Sequence, residues 1–172
     1  MIHRLIAAAL AAALIAFPAQ AQTVVLVRHG EKAVATGDSD LSAAGQARAQ
    51  ALAQALAGAR VSLVLATPLK RTAQTARPTA EAAGVPIVAI GFDGGDAAHV
   101  QRVAARARQA PAGATVLIVG HSNTVAQIAR ALGDPAPAPL TDCDYDQLTV
   151  LQLDGPAARA VHSRYGAPTQ SC

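Results

Sequence analysis

Short apolar runs rich in β-branched residues alternate along this chain with longer Ala-rich stretches. Thr23–Arg28, Val61–Ala66, Val85–Ile90 and Thr115–Val119 have strand length and Val/Ile content, and each predicts a strand. Between them the spacing turns helical. Ser42–Ala57 carries Leu52 and Leu56 on one face, with Ser42 as the N-cap. Thr67-Pro68 repeats the start signal, with Thr67 as N-cap and Pro68 in the first turn of a second helix. Asp96–Gln109 and Asn123–Leu132 predict two more helices. Beyond the Pro/Ala stretch Pro135–Pro139, Gln147–Leu153 and Arg159–Tyr165 read as strands joined at Asp154-Gly155-Pro156. Strands alternating with helices of this length build βαβ units. The expected fold is therefore α/β, a three-layer α/β/α sandwich with a mostly parallel sheet and an antiparallel C-terminal edge. No repeat and no linker divides it.

The first residues stand apart from that pattern. Arg4 precedes an apolar run of 13, Leu5–Phe17, and Pro18-Ala19-Gln20-Ala21 supplies an A-x-A cleavage pattern. The run is shorter than the roughly 18–20 residues that span a bilayer. Residues 1–21 thus read as a secretory signal peptide and 22–172 as one domain, periplasmic or secreted, with no stable membrane anchor after cleavage. Export also changes the reading of Cys143 and Cys172, because disulfides persist in oxidising compartments. A bridge would close a loop of about 30 residues and contribute about 3 kcal/mol; the alternative is two thiols at a frayed end.

Composition excludes several functions. Apolar residues make up 52% and aromatic residues 2% of the 172, so the core must come from Ala, Leu, Val and Ile. With no Trp, few other aromatics and a net charge of only +3 from scattered arginines, the chain has neither stacking platforms nor a basic face for nucleic acid. Asp142, Asp144 and Asp146 lack the Gly and distal Glu of a calcium loop and read as a solvated turn. His99 and His162 have no motif around them and read as surface or strand-face residues.

Chemistry concentrates just after the strands, where open α/β sheets bind ligands. Arg28-His29-Gly30-Glu31 follows the first strand, Thr67-Pro68-Leu69-Lys70-Arg71 the second, Asp93 to Asp96 the third, and Gly120-His121-Ser122-Asn123 the fourth. Two histidines and two arginines from three segments suit a phosphoryl group. Guanidinium groups hold phosphate oxygens bidentately, a neutral imidazole attacks phosphorus, and a second imidazole bonds the equatorial oxygens. Gly30 would let the backbone approach the anion, and N–H groups near His121 would add donors.

Arg28-His29-Gly30-Glu31, Asp40-Leu41-Ser42-Ala43-Ala44-Gly45, Thr67-Pro68-Leu69-Lys70-Arg71-Thr72-Ala73-Gln74-Thr75 and Gly120-His121 together resemble the histidine phosphatase superfamily, also called phosphoglycerate mutase-like. The likeness spans roughly residues 23–132, and Ser122 after the late histidine points to the smaller branch. It implies that His29 is the phosphorylated nucleophile, Arg28 and Arg71 the phosphate clamps and His121 the second pocket histidine. Gly30 and Ser122 join the arginines as substrate-binding positions. Neither metal nor organic cofactor is implied. The implied partner is a phosphorylated small molecule or phosphoprotein.

Relatives that have a carboxylate proton donor often place a Glu after the third strand, whereas this chain has only Glu31 and Glu81. Asp93 is the first choice for that role and Asp96 the second, although Gly91–Asp96 also reads as a turn with Asp96 as a helix cap. Two other readings stay open. A pocket without the Glu could bind phospholigands without turnover. Gly120-His121-Ser122-Asn123-Thr124 also resembles a nucleophile elbow, with an Asp among 142–146 and His162 completing a serine esterase triad around Ser122.

Overall fold

The computed structural model describes residues 21–155 and 157–169. The expected leader falls mostly outside them, as do Pro156 and Cys172, the second half of the expected disulfide. Ten elements follow one another: β1 (Gln22–Arg28), α1 (Ala43–Ala55), β2 (Val61–Ala66), α2 (Lys70–Ala83), β3 (Ile87–Ala89), α3 (Gly95–Arg108), β4 (Thr115–Gly120), α4 (Val125–Ala131), β5 (Gln147–Leu153) and β6 (Arg159–Arg164). The sheet order is β3-β2-β4-β1-β5-β6. The first four strands pair in parallel, while β5 runs antiparallel to β1 and β6 antiparallel to β5. This is the expected α/β fold with its antiparallel edge.

The two faces of β1 explain the three layers. Side chains alternate across a strand, so Val24 and Leu26 pack with Val100, Val103, Ile128 and Leu132 of the α3/α4 layer. Val25 and Val27 pack on the other face with Leu52, Ala76 and Ala80 of the α1/α2 layer. Buried on both sides, the central strands read as continuous apolar runs.

Three local expectations are corrected. β3 is shorter than Val85–Ile90, because Pro86 has no N–H for the ladder and the Val85 N–H bonds Ala80 at the end of α2. α2 starts at Lys70 with Leu69 as N-cap and no side-chain cap. Thr67 is not a cap; its hydroxyl is bonded elsewhere, as shown below. α3 is capped by Gly94 in the left-handed region, so Asp96 falls in its first turn instead of at its cap. Ser42 caps α1 as expected, accepting from the Gly45 N–H at 3.1 Å.

Candidate active site

Register brings the histidines together. In the β1–β4 pair Arg28 lies opposite Gly120, so His29 and His121 are each the next residue beyond adjacent parallel strands. Such strands lie about 4.8 Å apart, and the two imidazole centroids are 5.2 Å apart in an edge-to-face arrangement. Ala66 aligns with Val119 in the β2–β4 pair, which sets Thr67 on the same rim.

His29 is buried, at 3% exposure. Its Nδ1 lies 2.7 Å from the Gly30 carbonyl oxygen, and since a carbonyl only accepts, Nδ1 carries the proton and donates. Nε2 then carries the lone pair and has no hydrogen-bond partner among the described residues. Burial, reinforced by the charges of Arg28, Arg71 and Lys32 against the pull of the Gly30 bond, lowers the imidazole pKa to about 4. Burial likewise lowers His121 to about 3, with His29, Arg71, His99 and Arg28 adding to it. Both rings are neutral at pH 7. His121 Nε2 is 3.1 Å from the Thr67 hydroxyl, which is itself 2.8 Å from the Thr72 hydroxyl.

The arginines supply the positive charge. Arg28 ends β1 and is 4% exposed. It donates through Nη1 to the Thr141 carbonyl at 2.8 Å, its Nη2 stands 3.7 Å from the Asp142 carboxylate, and its Cζ lies over the Tyr145 ring, 4.1 Å from the centroid. Arg71, in the first turn of α2, has Nη1 3.9 Å from Asp38. Both guanidinium groups retain a buried Nε–H with no hydrogen-bond partner among the described residues. Orphaned buried donors are costly, and both of these sit on cations whose charge acts on the two imidazoles. The arrangement suits a tetrahedral oxyanion.

The other expected positions fare differently. Gly30 stands beside His29, but its N–H donates to Thr75 at 2.8 Å. A Cβ there would come within 2.8 Å of the Gly45 carbonyl oxygen. Close packing against α1, not approach to an anion, is what requires glycine. The His121 N–H is likewise taken, by the Thr124 hydroxyl at 3.2 Å. Ser122 is half-buried and donates to Asp142 at 3.0 Å. Asp93 is exposed and unbonded among the described residues, next to Phe92, whose ring is 5.7 Å from that of His121. Asp96 accepts from Asn123 at 2.6 Å. No esterase triad forms: His162 faces Thr149 and Asp134, while Ser122 faces Asp142. His99 is no surface residue; it is 1% exposed, stacked on Phe92 at 4.3 Å and bonded to the Gly91 carbonyl. Asp146 is buried too, holding Arg164 at 2.6 Å and Thr169 at 2.9 Å, so the acidic turn is solvated only in part.

Several neighbours of these residues escape a reading of strand C-termini. β5 runs backwards beside β1, so its beginning reaches the same rim, where Leu148 pairs with Val27. The preceding loop delivers Thr141, Asp142 and Tyr145 onto Arg28, with the Tyr145 ring 6.1 Å from His29. A tyrosine two residues before an antiparallel strand was the available signal. Arg48 of α1 grips Glu31 at 2.6 and 3.0 Å, anchoring the segment after His29.

Residues 24–90 match a family model described as the histidine phosphatase superfamily (branch 1). That stretch belongs to the histidine phosphatase superfamily. No curated protein sequence matches the chain. Among solved structures it resembles a SixA protein from Nakamurella multipartitia, 27% identical with a TM-score of 0.63, over 88% of this chain and 99% of that one. The protein histidine phosphatase SixA complexed with tungstate is 19% identical at a TM-score of 0.62, with 83% and 95% covered. A mycobacterial glucosyl-3-phosphoglycerate phosphatase is 19% identical at 0.63, with 87% and 100% covered. The latter two share the histidine phosphatase fold. The match places Arg28, His29 and Arg71 inside the family segment and leaves His121 and Tyr145 beyond it.

Proposed function

We propose that this chain is an exported phosphomonoesterase that works through a phosphohistidine on His29. The single observation that carries the reading is the His29 tautomer: Nδ1–H is committed to Gly30, and the ring is neutral under the charges of Arg28 and Arg71, so Nε2 carries a lone pair beside two cations. In the first step Nε2 attacks phosphorus and the bond to the leaving oxygen breaks. Arg28, Arg71 and His121 hold the phosphoryl oxygens, and Asp93 or water gives the leaving oxygen a proton. Water then attacks the phosphohistidine and releases phosphate. Two displacements replace one harder one, and fixed donors stabilise the charge in each.

Asp93 is the freer of the two carboxylates named for the acid role, since Asp96 is engaged by Asn123. Export rests on the Arg4, Leu5–Phe17 and A-x-A pattern of the first 21 residues. Neighbours of this fold are named for protein histidine and glucosyl-3-phosphoglycerate dephosphorylation, which fits a phosphorylated small molecule or protein as substrate.

A rapid-quench experiment with a labelled generic phosphomonoester tests the mechanism. Protein-bound label that survives alkali, is lost in acid and is absent from His29→Ala, together with phosphate release, is the expected result. Phosphate binding without label or release would replace the enzyme by a phospholigand-binding domain.

A further inference from the structure

A cavity of about 430 Å³ opens between the first turns of α1 and the segment after β6. Its walls include Ala44, Ala47, Tyr145, Ala167 and Pro168, and Glu31 and Arg48 also line it. Tyr145 is common to both sites. The ring that stacks on Arg28 and stands 6.1 Å from His29 also lines the cavity. Glu31, two residues after His29, supplies the second connection.

We infer that this cavity receives the leaving group of the substrate and selects a compact aromatic group carrying a hydrogen-bond donor. The inference rests on the phosphoryl site proposed above. Alanine methyls, a proline ring and the tyrosine ring favour a flat apolar body, and aromatic pairs gain beyond the area they bury. Glu31 is held by Arg48 mainly through Oε1, at 2.6 and 3.0 Å, and through Oε2 only at 3.0 Å from Nε. Acceptor capacity therefore remains on Oε2 for an N–H or O–H of the ligand, while a second anionic group would meet a carboxylate. The volume lies at the small end of ligand pockets. Ala44 and Ala47 are exposed on successive turns of α1, so both can be enlarged without entering the core.

Calorimetric binding of methylphosphonate and benzylphosphonate to the purified chain separates the two sites without depending on turnover. The expected result is at least about tenfold tighter binding of benzylphosphonate, a ratio typical of one apolar pocket. Ala44→Leu/Ala47→Leu should abolish that preference and leave methylphosphonate affinity unchanged, which also reports that the fold is intact. Ala47→Leu alone, at an exposed helical position, gives the same reading if the double change unfolds α1. Equal affinity for the two phosphonates, or a preference that survives the leucines, overturns the aromatic subsite and leaves the phosphoryl site standing. A protein that binds neither phosphonate overturns the phosphoryl site, and the subsite falls with it.

Discussion

The Nδ1 of His29 lies 2.7 Å from the carbonyl oxygen of Gly30, the residue that follows it in the chain. Because that carbonyl is fixed in turn by Gly30 N–H donation to Thr75 and by close packing on Gly45, the tautomer of the imidazole is set by backbone geometry. In the proposed mechanism Nε2 needs no separate base.

Activity should follow the neutral form of His29. Its pKa is lowered to about 4, so kcat/KM is expected to stay flat on its acidic side from pH 7 downward and to fall only as pH approaches about 4. Initial rates of phosphate release from pH 3 to 8 check this. A break near 6.5 would mean that the ring is solvated and ordinary.

The same shifts make stability depend on pH. His29 near 4 and His121 near 3 both lie below the unfolded value of about 6.5, so the unfolded chain binds more protons as pH falls from 6.5 towards those values. Stability is fully present above about 6.5 and is lost progressively below it. The Tm should drop across that window. His29→Gln/His121→Gln should flatten the drop, and a scan of Tm against pH reads both.

Thr67→Val should separate position from presence. It removes the hydroxyl 3.1 Å from His121 Nε2 while keeping the shape of a buried residue. Loss of one such bond is worth about 1 kcal/mol, so kcat should fall by about five- to tenfold. Thr67→Ser should keep most of the rate, and phosphate-release kinetics distinguish the two.

Glu31 and Arg48 form a pair whose arginine is 4% exposed. Glu31→Gln, by stripping Arg48 of its counter-charge, is expected to destabilise by about 3 kcal/mol, whereas Glu31→Gln combined with Arg48→Met should cost less than Glu31→Gln alone. Urea denaturation of the two variants measures the ordering, which is the informative part.

Gly30→Ala brings a methyl within 2.8 Å of a backbone oxygen of α1, and Gly45→Ala drives one still closer, into the Glu31 carbonyl oxygen. Neither obstacle is a flexible side chain. Each variant should lose about 1–3 kcal/mol or more by overpacking, with Gly45→Ala the worse, as thermal melts will show.

The parallel half of the molecule was legible because its strands are apolar throughout and its candidate site residues follow them directly: His29 after Val27-Arg28, His121 after Val119-Gly120. What escaped was set by partners remote in sequence. Thr67 looks like a cap until β4 brings His121 to its hydroxyl. His99 looks like a surface residue until the chain turns at Gly94 and stacks it on Phe92. Tyr145 stands in no motif, only just ahead of the β5 run; the reversal of β5 beside β1 is what delivers it to Arg28.

That reversal also divides the labour of the site. Both histidines and both arginines are carried on parallel strands and the helix between them, under a core that tolerates little change, whereas Thr141, Asp142 and Tyr145 arrive on a loop from outside that frame. Loops accept substitution and insertion more readily than the elements they join. The 141–145 loop can therefore be rewritten, by selection or by an engineer, to admit a different molecule while His29 keeps its place.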